Sequence, residues 1–172
     1  MHEFAVFREI GCSGVSHLRA PQVGTTLVGV GTLREGSTRS QDWIHVRHAL
    51  MIEPDFGGIA PARKWAASHL RAAGIDGHVF DVLILLVSEV VTNAIAHAVP
   101  PVSLHLTLDD EQARVEVYDC AREVPVVRSP GPSEGGGRGV GLVDQLATDW
   151  GTVQLDAHDP LKLVWFELDL AS

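Results

Sequence analysis

Between residues 83 and 98 apolar side chains recur at helical spacing: Leu83, Leu86, Val87, Val90, Val91, Ala94, Ile95 and Ala98. On a helix they form one wide apolar stripe, the pattern of an element that covers a core. A narrow polar line runs along its edge, made of Glu89, Asn93 and His97, with Ser88 and Thr92 beside it. Residues four apart point nearly the same way, each about 6 Å further along the axis. A carboxylate, a carboxamide and an imidazole in a row offer a base, a neutral oxygen ligand for a hard cation and a switchable donor. The plain alternative is the solvated edge of an amphipathic helix. Pro100 and Pro101 end the pattern.

An earlier helix is predicted after Met51. Pro61 suits its first turn, Ala62, Trp65, Ala66, Leu70 and Ala73 mark an apolar face, and Gly74 closes it. Residues 76–81 read as a short link with an acidic start to the next helix. Beyond the prolines, Val102, Leu104, Leu106 and Leu108 alternate with Ser103, His105 and Thr107, which predicts a half-buried strand. A turn at residues 109–112 leads to an antiparallel partner with Ala113, Val115 and Val117 inward and Arg114 and Glu116 outward. Asp119 falls in phase with the inward set. A carboxylate aimed at the buried side needs a donor, because burying it unpaired costs several kcal/mol. A loop amide could supply one, and so could a ligand amine.

Residues 120–134 are irregular and rich in proline, a loop long enough to need a reason. It runs into Gly135-Gly136-Gly137-Arg138-Gly139-Val140-Gly141 and then the helical pattern Val140, Val143, Leu146, Ala147, Trp150, with Gly151 as its stop. Glycines at a helix start expose backbone N–H groups where the dipole favours anions. A flexible linker is the bland alternative. However, glycine inside a helix costs about 1 kcal/mol relative to alanine, so its persistence points to something that approaches the backbone closely, and a phosphate chain fits best. Residues 152–155 and 161–170 read as a final hairpin with Val164, Phe166, Leu168 and Leu170 toward the core.

Strands grouped against helices, without regular alternation, predict an α+β two-layer sandwich. In this order the segments resemble a known family. Ser88-Glu89-Val90-Val91-Thr92-Asn93-Ala94 resembles the N-box of the GHKL ATPases, Val117-Tyr118-Asp119 the adenine-binding aspartate box, and Gly137 to Val143 the second glycine box. Over about residues 50–170 the set is most similar to the anti-sigma-factor serine/threonine kinases, in the short actinobacterial form. The resemblance implies a histidine-kinase-like ATPase fold, a mixed, mostly antiparallel sheet covered by helices on one face. It implies ATP and Mg²⁺ as cofactors. Asn93 would ligate the metal, Asp119 would accept the adenine amino group, and Gly137, Gly139, Val140 and Gly141 would cradle phosphates. Glu89 would be the general base. Arg138, and less directly Arg128, would meet the γ-phosphate, and His97 is weighed equally between a lid contact and packing. The implied partners are a sigma factor and a small antagonist protein, with a homodimer as a further expectation. The sequence departs from the family in lacking two glycines after Asp119, where Cys120-Ala121-Arg122-Glu123 stands. It also has Leu161-Lys162-Leu163 where Gly-Lys-Thr is common, so a threonine contact is lost and weak ATP affinity is an expectation. Two alternatives to kinase activity stand beside it, a nucleotide-gated binding module without catalysis and a degenerate scaffold.

Composition narrows the picture. The 172 residues are 45% hydrophobic and carry a net charge of -9, which suits one globular domain and argues against a nucleic-acid surface. Cys12 and Cys120 are the only cysteines; read as unpaired thiols, they suit a reducing cytoplasm. The first residues make a poor signal peptide, and no apolar run is read as a membrane span. Residues 1–48 are read as an N-terminal extension, glycine-punctuated and loosely ordered or lying upstream of a start at Met51, and 49–172 as the ATP-binding domain. Gly29-Val30-Gly31 lacks a third glycine, and His45 and His48 lack further ligands, so neither is read as a site.

Overall fold

The computed structural model describes residues 25–31, 43–53, 55–97, 99–121, 138–154 and 162–170. Six of the eight residues of the helical stripe bury as its spacing predicts, while Ile95 is only partly buried and Ala98 lies outside the described residues. In α2, Gly77–His97, the residues Leu83, Leu86, Val87, Val90, Val91 and Ala94 are all buried. The helix begins at Gly77, inside the segment read as a link. It is long and apolar enough by length and composition to cross a membrane, which corrects the expectation that no run qualifies. Its apolar stripe is instead spent on the protein core.

Before it lies α1, Ile59–Ala72, with Ala62, Ala66 and Leu70 buried at successive turns. Gly74 ends α1 with φ of +78°, a conformation that glycine adopts without a Cβ penalty. Its N–H donates to the Arg71 carbonyl and that of Ile75 to the Leu70 carbonyl, each at 3.0 Å. These two bonds satisfy helix-end carbonyls in a Schellman arrangement.

The strands are β1, Thr25–Gly31, β2, Trp43–Ile52, β3, Val102–Leu108, β4, Gln112–Asp119, β5, Asp149–Gln154, and β6, Lys162–Asp169. Among the described residues they form one six-stranded sheet in the order β1-β2-β3-β4-β6-β5, every neighbouring pair antiparallel. The sheet is therefore wholly antiparallel there, where a mixed one is expected. β2 runs through residue 48 without a break, so a boundary at that point would cut a strand in two. The β3–β4 turn is held by Asp109, whose Oδ1 accepts the N–H groups of Glu111 and Gln112 at 2.9 and 2.7 Å, an Asx turn.

α2 packs on β3 and β4, α1 on α2 and β2, and α3, Arg138–Leu146, on α2 and β5. The core lies between this helical layer and the sheet, with Phe166, Leu104, Leu106, Val115 and Val117 among its fully buried side chains. β3 is not half-buried as its alternation suggests, because Ser103 and His105 on its other face are buried too. On that face Glu116 pairs with Arg47 and Arg114, both at 3.0 Å, and Arg114 also pairs with Glu167 and lies over the Trp165 ring. Polar side chains that bond one another can cover a strand as apolar ones do.

The last helix is shorter than its pattern predicts. α3 stops at Leu146, and Trp150 and Gly151 belong to β5. Gly151 is no helix stop. The Trp165 indole of the neighbouring strand lies 3.0 Å from where its Cβ would be, so a larger residue would have to displace that ring.

Candidate functional site

The chain path brings the end of α2 beside the end of β4 on the helix-covered face. Just past α2, the Val99 carbonyl accepts the Cys120 N–H at 2.9 Å, so the C-terminal end of α2 lies beside the end of β4. Asp119 closes β4 directly opposite Lys162, the first residue of β6. At the other end of the sheet, the Thr148 N–H donates to the Glu167 carbonyl at 2.8 Å. Trp150 Nε1 donates to Asp144 Oδ1 at 2.9 Å, folding α3 back along β5. A nine-residue helix is about 14 Å long, and the five strand steps from Glu167 to Lys162 cover about 17 Å. The helix and that stretch of β6 are thus of similar length. Asp119 and the C-terminal end of α2 lie at one end of one face, and α3 packs against α2 and β5.

Asp119 is 1% exposed, in phase with the core as its position predicts. Its donors come from the chain. Oδ1 accepts the Ala121 N–H at 2.7 Å, and Oδ2 lies 3.2 Å from Lys162 Nζ. Burial pushes the carboxyl above its usual range, and the Ala121 amide and the Lys162 ammonium pull the other way without cancelling it. The loop amide is the structural donor weighed from the sequence. Lys162 is the one that sequence reasoning missed, having read this segment only for a lost threonine. A signal was available, since Lys162 falls in the same strand phase as Val164 and Phe166.

Along α2, Glu89 and Asn93 are half-buried and His97 is exposed in the last turn. Ser88 and Thr92 turn their hydroxyls onto the helix itself, donating to the carbonyls of Ile84 at 2.7 Å and Ser88 at 2.6 Å. Among the described residues of this edge, that leaves Glu89 and Asn93 as half-buried polar side chains. No group of three or more His, Cys, Asp or Glu among the described residues could hold a metal ion. A single neutral amide such as that of Asn93 fits Mg²⁺ when substrate phosphates and waters supply the other ligands, as is usual for that ion.

Arg138, Gly139, Val140 and Gly141 form the first turn of α3; Gly137 and Arg128 lie outside the described residues. Gly141 is informative. Its φ is not in the positive region, and a Cβ built on it would meet nothing within 4 Å. Neither backbone conformation nor packing among the described residues accounts for glycine there. The expectation of two unpaired thiols does not hold, because Cys120, buried beside Asp119, is disulfide-bonded.

Residues 52–166 match a family described as the histidine kinase-like ATPase domain. A search of curated proteins found no match.

Proposed function

The chain belongs to the histidine kinase-like ATPase family, and from that premise we propose that it is an ATP- and Mg²⁺-dependent protein serine/threonine kinase of the anti-sigma type. It would sequester a sigma factor and phosphorylate a serine or threonine on a small antagonist protein. What supports this reading is that Asp119 on β4 lies beside the C-terminal end of α2, the helix that carries Glu89 and Asn93, and that α3 with Gly141 packs on α2. Asp119 receives the adenine amine, Asn93 holds the metal, and the α3 head with Gly141 faces the phosphates. Bound Mg²⁺ supplies charge neutralisation on the phosphates. Glu89 takes the proton of the attacking hydroxyl while its oxygen bonds to the γ-phosphorus and the bond to the β-phosphate oxygen breaks, leaving ADP. A base in that position has no use in a protein that only binds.

Incubation with labelled ATP and candidate antagonists tests the proposal. Transfer is expected from the wild type and not from Glu89→Ala, while both retain ATP binding; undiminished transfer by Glu89→Ala defeats it. Calorimetry with ATP and Mg²⁺ should show binding by the wild type and its loss in Asn93→Ala.

One observation favours a second reading. Both Asp119 oxygens already have partners within the chain, which lessens what an adenine amine would gain. A nucleotide-gated binding module without transfer fits that economy, and it requires partner affinity to change with ATP.

A further inference from the structure

Lys162 is 4% exposed, and lysine is almost never so deeply buried without an anion. Its ammonium lies 3.2 Å from Asp119 Oδ2, and the strand register sets the two residues directly opposite each other on β4 and β6. Both lie in the phase of their strands that faces the helices, at the end of the sheet beside the C-terminal end of α2. We propose that Lys162 is a positioning residue that sets base specificity. By holding the Asp119 carboxylate ionised and fixed, it leaves the end of β4 with only acceptors to offer, and so selects a purine with an amine, not an oxo group, at position 6. The proposal rests on the ATP-site reading above.

The chemistry follows from what each protonation state can do. An ionised carboxylate accepts at about four positions; the Ala121 N–H and Lys162 take two, leaving room for an amine. A protonated carboxyl turns one oxygen into a donor and keeps fewer acceptor positions for an adenine amine. Burial drives Asp119 toward the protonated form. Against that drive stand the Lys162 ammonium from β6 and the Ala121 amide from the residues after β4. Among the described residues, no charged group on α2 or α3 acts on it. Without the ammonium, a carboxyl this deep shifts its pKa and neutralises.

The test is calorimetric titration of the full chain with ATP and with GTP, each with Mg²⁺, from about pH 5.5 to about 8.5, a span chosen to cross the range of buried carboxyls. The wild type should bind ATP with little pH dependence and prefer it to GTP. Lys162→Met should bind ATP about tenfold or more weakly near pH 6.5, a factor that corresponds to one unit of pKa. Its affinity should recover toward pH 8.5, and its preference over GTP should fall by a similar factor at the acid end. Lys162→Arg should restore the flat profile. If Lys162→Met does not fold, Lys162→Gln keeps a donor against Oδ2 without the charge and should show the same pH dependence. A loss of affinity equal at every pH, or an unchanged nucleotide preference, overturns the proposal while leaving the ATP site standing. A wild type that binds no ATP overturns both.

Discussion

Replacing Gly141 by alanine should move stability and ligand binding in opposite directions. Gly141 is the fourth residue of the nine-residue α3, and an added Cβ there meets nothing within 4 Å. No clash offsets the gain in helix propensity, about 1 kcal/mol for glycine to alanine. In a chain of 172 residues that corresponds to a melting temperature higher by about 3 °C. The same methyl would stand between the helix backbone and anything approaching it. Loss of one hydrogen bond to a charged phosphate costs about 1.5–3 kcal/mol, or about ten- to a hundredfold in ATP affinity. Urea or thermal melts without nucleotide, paired with ATP titrations, measure both effects. A Gly141→Ala protein less stable than the wild type would refute the open-space reasoning. One that gains stability and binds ATP as before would show that no ligand is the reason for this glycine.

Two further outcomes probe the fold. His105 is buried, and desolvation first, then the nearby Arg47, lower its pKa to about 3, so it is neutral in the folded state. Below its unfolded value of 6.5 the unfolded chain binds the additional proton. Stability should therefore be intact above that pH and fall on acidification, by about 2 kcal/mol from this group down to about pH 5. Urea midpoints measured against pH should show a shallower acid slope for His105→Leu; an unchanged slope would mean that the imidazole is not held neutral. Phe166, with 0% exposure at the centre of the core, should cost about 3–5 kcal/mol when cut to alanine, read from the same urea midpoints with nucleotide absent.

The sequence by itself determined the elements whose burial is written in their period. The apolar stripe of α2, the inward phase of Ala113, Val115, Val117 and Asp119, and the two helices around Gly74 all stand where spacing predicts. Local pattern suffices there because one face of each element meets the core and the other does not. It failed where a neighbour far along the chain decides. Trp150 continues a helical pattern that Gly151 is read as ending, yet pairing with Phe166 and Trp165 makes both strand. Ser103 and His105 look solvated, yet their face of the sheet is covered. For the site, Glu89, Asn93 and Asp119 were legible as residue types needing a purpose. That Asp119 is answered by Lys162, 43 positions later by number (162 − 119), was decided only by the register of β4 against β6. A buried charge selects its partner through space, and the strand register that brings that partner near is set by the packing of the whole sheet.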